Sequence, residues 1–231
     1  MSEITGTVLL RCGECLQELS GLPDDSIFLC RNCGRAWVSG DRGLSRVGVS
    51  LWGEAGEEMV FLPFWRVEAD VTLHERTTRR KSVRTPATAP RDFDALAERG
   101  LETESGRRVL RSYLVPAVVN SRALSIGVRL RSSRPDLVPY EDSTPLMVGG
   151  SVDAGDAVEL SRAIAVGEEV ARADFLASLD IELHPMDVDL MGIACRAGER
   201  GFEIPGAGIV MRYVDTEDQV AILERNGLSR A

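Results

Sequence analysis

Two Cys-x-x-Cys pairs constrain this sequence more than any other feature. Cys12 and Cys15 form the first pair, and Cys30 and Cys33 form the second. Each spacing lets a tight turn present two thiolates to one ion, and four sulfurs at tetrahedral angles suit Zn²⁺ best. The 14 residues between the pairs are slightly fewer than the usual spacing of roughly 15 to 20. The sequence therefore predicts one structural Zn²⁺ per chain, held by these four cysteines.

Residues 10–37 resemble the zinc-ribbon (rubredoxin-like) family, because both knuckles are present and short apolar segments flank them. This resemblance covers 28 of the 231 residues. It implies a structural Cys₄ site, but ribbons occur in transcription factors, enzymes, ribosomal proteins and scaffolds. Rubredoxin binds iron with the same ligands, yet its flanking aromatic residues and second-knuckle proline are missing here. Since a closed Cys₄ site leaves no open coordination position, catalytic zinc is not expected.

Composition favours a folded protein in a reducing compartment. The hydrophobic share of 44% can build a core, and 27% of the residues are charged, close to the ordinary quarter. No stretch of 18 apolar residues occurs, and acidic and basic residues interrupt the first thirty positions, so neither a membrane span nor a signal peptide is expected. Four of the five cysteines stand in metal-ligand pairs, which suits thiols kept reduced. We therefore expect a cytoplasmic protein.

Strand patterns dominate the rest of the chain. From Trp65 to Leu73 the odd positions are apolar and the even positions polar, as in a strand with one solvent-facing side. Further strands are predicted at 109–115, 124–130, 181–183, 188–195 and 208–214, with a hairpin loop at 196–201. One long helix is predicted from about residue 156 to 179, since Asp156 and Glu159 have capping-box spacing.

These patterns predict an α+β fold dominated by β-structure. Residues 1–42 are expected to form the zinc ribbon, and residues 43–231 a mostly antiparallel β domain with one long helix. A basic loop is expected near 74–108, because this region lacks periodic apolar residues and carries prolines at 86 and 90.

Charge is distributed unevenly along the chain. The net charge of −9 divides into −4 for residues 1–60, +7 for residues 61–135 and −12 for residues 136–231. A basic segment of this kind can bind phosphates or an acidic protein surface, although a solvated loop balanced by the acidic C-terminal third is the plainer interpretation. The candidate partner-binding residues are Arg76, Arg79, Arg80, Lys81 and Arg84.

Catalytic motifs are not recognisable. The two histidines, His74 and His184, lie in no nucleophile motif and are expected to be structural or solvated. The acidic residues around His184, between 180 and 189, are expected to form the exposed face of an edge strand rather than a cation site. Aromatic residues at 52, 61, 64 and 65 precede the basic run, as in single-strand nucleic-acid binders, but core packing explains them equally well.

Function is therefore predicted only by class. The favoured hypothesis is a non-enzymatic assembly or adaptor subunit that binds a protein partner or a second copy of itself. The first alternative is a nucleic-acid-associated zinc-ribbon factor that uses the Arg-rich loop, although a pI near 4.9 lowers that expectation. The second alternative is an enzyme whose site the sequence does not reveal.

Overall fold

A computed structural model describes residues 10–19, 21, 24–40, 43–53, 59–79, 101–133, 147–172 and 174–212. These residues form two sheets and two helices, in a β-dominated arrangement that agrees with the predicted fold class. The first sheet has three antiparallel strands in the order β1-β2-β3. Its strands are β1 (Ile27–Leu29), β2 (Ala36–Gly40) and β3 (Gly43–Val47).

The second sheet has six strands in the order β6-β5-β7-β8-β9, with β4 parallel to β7 and the other pairs antiparallel. The strands are β4 (Val49–Trp52), β5 (Met59–Arg79), β6 (Leu101–Pro116), β7 (Phe175–Gly198), β8 (Gly201–Ile204) and β9 (Ile209–Arg212). The helices are α1 (Ala123–Ser133) and α2 (Ala154–Val170).

Three of these strands are far longer than the five or six residues of an ordinary strand. β5 pairs with β6 and β7 along almost its whole length, so the three strands form an extended arm. The alternation from Trp65 to Leu73 places the odd-numbered side chains on the face that α2 covers, and all of them are buried. The indole of Trp65 also donates a hydrogen bond of 2.8 Å to the Val152 carbonyl, just before α2 begins.

A β-bulge at His74 interrupts this alternation. Leu73 and Glu75 pair with the consecutive β7 residues Ile181 and Asp180, so His74 is an extra residue without a partner on β7. An extra residue exchanges the two faces for everything that follows, because side chains alternate with a period of two. Beyond the bulge, even-numbered residues of β5 therefore face α2.

Arg76 is buried as a result of this exchange. Its Nε lies 2.9 Å from Glu169 Oε2 near the end of α2, and only 4% of the side chain is exposed. Strand β6 follows the same bend at Gly106, whose φ of 73° is in the left-handed region that favours glycine. The sequence predicted a basic loop here, but residues 74–79 and 101–108 are paired strand. The alternation of apolar and polar residues does not reveal these strand segments, because the bulge exchanges the two faces of β5. Residues 80–100 lie outside the described part of the chain.

Two other predictions also need correction. Residues 124–130, predicted as a strand, belong to α1, and just before this helix Asn120 Oδ1 accepts a 2.8 Å hydrogen bond from the Arg122 amide. The helix predicted at 156–179 runs from 154 to 170, and its N-cap is Asp153. Residues 175–179 are strand because they pair with the end of β5.

The remaining strand predictions are confirmed. Residues 109–115 lie in β6, and residues 181–183 and 188–195 lie in the single strand β7. The loop predicted at 196–201 is narrower, since β7 ends at Gly198 and β8 begins at Gly201. Of the strand predicted at 208–214, residues 209–212 form β9.

The ribbon is joined to the large sheet through backbone hydrogen bonds. Ile27 and Gly150 bond to each other in both directions, with N···O distances of 2.8 and 3.2 Å. A Cβ at Gly150 would lie 2.5 Å from the Ala117 carbonyl oxygen and 3.2 Å from Pro63 Cγ, so this contact needs glycine. Ile27 is fully buried in the same hydrophobic cluster as Phe61 of β5.

Candidate metal centre

The four predicted cysteine ligands lie together at one end of the ribbon. Cys12 Sγ is 3.5 Å from Cys33 Sγ, and Cys15 Sγ is 3.4 Å from Cys30 Sγ. All four sulfurs lie within 4.8 Å of one another. A tetrahedron of sulfurs at about 2.3 Å from a Zn²⁺ ion has edges of about 3.8 Å. The separations therefore suit a single tetrahedral ion.

Both knuckles have the same backbone geometry. The carbonyl of Cys12 accepts a 2.9 Å hydrogen bond from the Leu16 amide, and the carbonyl of Cys30 accepts a 2.8 Å bond from the Gly34 amide. The amides of Cys12 and Cys30 in turn donate to carbonyls five residues further along the chain, at 2.9 Å each. Leu16 and Gly34 both have left-handed backbones, with φ of 62° and 67°. Cysteine spacing thus predicted the ligands, and the repeated turn explains how each pair reaches one point.

Thiol pKa values at this cluster move in opposite directions. Burial raises the pKa of Cys12, but hydrogen bonds from the Cys15 and Glu14 amides and the sulfur neighbours together lower it to about 6. The amide of Arg35 lowers the pKa of Cys33, yet burial and the three neighbouring sulfurs raise it to about 12. Four thiolates repel one another at these distances, and a divalent cation removes that repulsion.

Packing around the knuckles protects the cluster. Cys12 and Cys30 are buried together with Leu19, Phe28 and Trp37 in a small core separate from the large sheet. The Trp37 ring lies against the first knuckle so closely that a Cβ at residue 13 would be 2.5 Å from its Cη2, which explains the glycine there. These contacts exclude water from part of the cluster, as a structural site requires.

The structure describes two of the five predicted partner-binding residues, Arg76 and Arg79. Arg76 is excluded, because its guanidinium is buried, lies 2.9 Å from Glu169 and makes two hydrogen bonds of 2.6 and 2.8 Å with Asp174. Arg79 is exposed at the end of β5. The other three residues, Arg80, Lys81 and Arg84, lie outside the described part of the chain.

Three of the four aromatic residues before the basic segment are core residues. Phe61, Phe64 and Trp65 are at most 2% exposed. Their rings pack inside the two large hydrophobic clusters and are closed to a stacking base. Core packing therefore explains these three residues, whereas Trp52 is half-buried.

The acidic residues of β7 lie on the open face of the arm, as expected. Glu182 has its Oε2 3.2 Å from His74 Nε2, and its Oε1 3.2 Å from His184 Nε2. Asp189 is 2.5 Å from the Arg66 guanidinium on the same face. The sequence does not reveal that both histidines contact the same carboxylate, because His74 lies on β5 and His184 on β7, far apart along the chain.

A cavity between α2 and the sheet offers little room for a substrate. It measures about 10 Å³, enough for at most one water molecule. Burial raises the pKa of Tyr113 there to about 12, and burial also raises the pKa of Glu168. Such shifts are common at active sites, but here they come from the packing of α2 on the sheet.

No protein-family model, curated protein or solved structure matches this chain. Neither described helix combines the length and the apolar character needed to cross a membrane. The metal centre and the arm are therefore the features on which a functional interpretation depends.

Proposed function

We propose that this protein is a non-enzymatic assembly or adaptor subunit, stabilised by one Zn²⁺ at Cys12, Cys15, Cys30 and Cys33 and docking a protein partner on its three-stranded arm. The observation that carries this proposal is a set of large apolar side chains exposed along the arm. The metal has a structural role and the arm supplies the interaction.

Zinc is the ion that best suits the cysteine cluster. Four thiolates select Zn²⁺ or iron–sulfur chemistry over hard cations such as Mg²⁺. The two knuckles lack the characteristic flanking aromatic residues and the second-knuckle proline of the similar rubredoxins, which bind iron. With all four positions of a tetrahedral ion taken by sulfur, the ion has no place for water or substrate and serves folding.

The arm presents an extended surface. β6 has 16 residues, which corresponds to a length of about 50 Å. Leu110, in the middle of β6, has 74% of its surface exposed on the face opposite α2, and Met186, an unpaired residue of β7, has 67% exposed. Phe175, at the start of β7, is 55% exposed. Leu110 lies on β6 and the other two on β7, and exposed apolar side chains that form a patch are typical of protein interaction sites.

Charge supports a protein partner or a second copy of the chain. The basic middle third carries +7 and the acidic last third −12. Ion pairs within the chain, such as Arg66–Asp189 and Arg76–Glu169, already neutralise part of this charge. The charges outside such pairs can support head-to-tail association between identical chains or attract a charged protein. Because exposed charges are screened by salt, such association should weaken as ionic strength rises.

Native mass spectrometry of the full chain, purified from its own cells at low salt, tests this proposal. We expect one zinc per chain together with a protein partner or a homo-oligomer. Replacing Leu110 and Met186 with Glu should reduce the complex at least tenfold, because each charge would have to be buried in the interface. Val119→Glu serves as a matched control, since Val119 is 60% exposed and lies outside the arm.

Two outcomes would contradict the proposal. The first is a monomer at all concentrations and salt conditions. The second is a complex that Val119→Glu weakens as much as the two arm variants do, which would place the interface elsewhere.

Nucleic-acid binding is the second candidate, favoured by one observation. The exposed Arg79 ends β5 and leads directly into Arg80, Lys81 and Arg84. If these four cations contact phosphates, the logarithm of the binding constant should fall with the logarithm of salt with a slope of about −3 to −4. Co-purified nucleic acid, lost in the Arg79→Ala/Arg80→Ala variant, would favour this function over the adaptor.

A further inference from the structure

Both histidines of the chain converge on one glutamate. The sequence contains only two histidines in 231 residues, His74 on β5 and His184 on β7. Each places its Nε2 atom 3.2 Å from a different carboxylate oxygen of Glu182. The two rings thus lie on either side of a single carboxylate, on the face of the arm opposite α2.

Strand geometry brings the three residues together. Glu182 and His184 are two positions apart on β7, so their side chains share a face. They pair with Thr72 and Asp70 of β5. His74 is two positions after Thr72, on the same even-numbered face that points away from α2, and as the bulged residue it reaches Glu182 across the strand pair. Bulges recur where a side chain must be redirected.

Asp70 adds a carboxylate near this group, because it pairs with His184 in the register of β5 and β7. Asp70 is 7% exposed, and its Oδ1 atom is buried without a hydrogen-bond partner among the described residues. Its other oxygen accepts a hydrogen bond from Arg108. The Arg108 guanidinium, followed by the charge of His184, holds the pKa of Asp70 below its ordinary value. A buried carboxylate oxygen without a donor is costly, and a nearby cation would satisfy it.

We propose that His74, Glu182 and His184 form a second metal site, which takes a divalent transition ion such as Zn²⁺ or Ni²⁺ and has Asp70 as a neighbouring carboxylate. Two imidazole nitrogens and one carboxylate are a donor set that these ions favour. This site is distinct from the cysteine cluster and independent of the adaptor function.

Binding requires a small rearrangement of the side chains. Among the described residues, only the four cysteines form a group of three or more ligand side chains whose ligand atoms already lie within 4.8 Å of one another, so His74, Glu182 and His184 do not meet this distance as they stand. The histidines instead contact opposite oxygens of Glu182, so their rings must turn toward a common point. Their side chains are 47% and 63% exposed, and that of Glu182 is 52% exposed, which leaves them room to turn. An ion held there would link β5 to β7 beside the bulge.

Three protein ligands also leave coordination positions open. Water, or a side chain of a bound partner, can complete the coordination of the ion. The cysteine cluster offers no such position. The second ion can therefore respond to what binds the open face of the arm, whereas the first cannot.

The test uses Zn²⁺ as the probe and the full chain with its cysteine site already filled. Equilibrium dialysis should show a second zinc per chain. With only two histidines present, a proton NMR spectrum contains two imidazole C2–H signals, and both should shift together as the second ion binds. Variants His74→Gln and His184→Gln should each weaken this second binding event at least about tenfold, while the first zinc is retained.

Glu159→Gln is the control, because it removes an exposed carboxylate from α2, away from the histidines. It should leave both zinc ions in place. Since all three proposed ligands are exposed, their variants should keep the circular dichroism spectrum of the parent protein. Saturation at one zinc would overturn the proposal. A second zinc that binds equally well to both histidine variants, or a titration that shifts one imidazole alone, would also overturn it.

Discussion

Leu16 and Gly34 occupy the same position in the two metal knuckles, and both have left-handed backbones. Their φ values are 62° and 67°, and their amides donate to the carbonyls of Cys12 and Cys30. Glycine adopts this conformation freely, whereas a residue with a Cβ pays about 1–2 kcal/mol. The first knuckle therefore carries strain that the second avoids.

Replacing Leu16 with Gly should stabilise the zinc-loaded protein. Leu16 is 70% exposed, so its side chain contributes little burial. The strain energy removed from the folded state is larger than the entropic cost of ordering a glycine. We therefore expect the free energy of unfolding in urea to rise by about 0.5–1 kcal/mol. Leu16→Ala should give no such gain because it keeps the Cβ. A Leu16→Gly protein less stable than the parent would contradict this account.

Cys30→Ser should abolish metal binding and unfold the ribbon. The free energy of structural zinc ligation is about 10–16 kcal/mol in small zinc-binding peptides, and much of it is lost with one ligand. Zinc stoichiometry measured by mass spectrometry should fall from one per chain to none at the cysteine cluster. Cys195→Ala is the control, since Cys195 is fully buried in the large sheet, outside the cluster. Unchanged zinc content in Cys30→Ser would refute the assignment.

Gly150→Ala should weaken the joint between the ribbon and the large sheet. Its Cβ would lie 2.5 Å from the Ala117 carbonyl oxygen and 3.1 Å from Ile27 Cδ1, so the backbone must move. Overpacking of this kind costs about 1–3 kcal/mol. Gly48→Ala meets no atom within 4 Å and should change stability little. Hydrogen exchange at the Ile27 amide should accelerate in Gly150→Ala alone; equal protection in both variants would count against the joint.

Arg76 should be important for stability although it belongs to a basic run. In Arg76→Met, Asp174 would lose the guanidinium with which it pairs, and the buried Glu169 would keep Arg107 and Arg172. Removing one partner of a buried ion pair costs up to about 3–5 kcal/mol, and the two arginines that remain at Glu169 reduce this loss. The exposed Arg79, three residues later, should tolerate Arg79→Met within about 0.5 kcal/mol. Chemical denaturation of the two variants distinguishes these roles, and equal losses would contradict them.

Acid should destabilise the protein partly through Asp174. The hydrogen bond from Arg76 lowers the pKa of this carboxyl from its ordinary value of 3.8. Its contribution is therefore fully present above pH 3.8 and disappears as pH falls through the lower folded pKa. Asp174→Asn should flatten the fall of unfolding free energy in this range. Glu168 acts in the opposite sense, because burial raises its pKa, so Glu168→Gln should not flatten the slope.

Sequence patterns predicted those parts of the fold that a single local pattern determines. The cysteine spacing identified the ligand cluster, and the alternation from Trp65 to Leu73 identified the centre of β5. The alternation ends at a bulge that has no sequence signature, so the buried role of Arg76 could not be read from its charge. For this reason the sequence places residues 74–79 in a loop and Arg76 among the partner-binding candidates, whereas the structure pairs these residues as strand and buries Arg76.

Helix α1 shows how two patterns can coexist in one segment. Residues 124–130 alternate as in a strand, but Ile126 and Leu130 are also four apart, and these two are buried, at 5% and 2% exposure. Asn120 forms a turn just before the helix, since its side chain accepts a hydrogen bond from the Arg122 amide. The end of α2 was misplaced because residues 175–179 have a strand partner far away in sequence, which local propensity does not reveal.

The contact between Ile27 and Gly150 limits how the ribbon can be exchanged in evolution or in design. Many metal-binding ribbons are transferable cassettes, attached to their neighbours by a linker. Here a cut after residue 42 would remove Ile27 and Ala36 from the cluster that also contains Phe61 and Met147. A protein that received this ribbon would therefore need a glycine at the position of Gly150 and an apolar pocket for Ile27. The ribbon and the large sheet are thus expected to be inherited together.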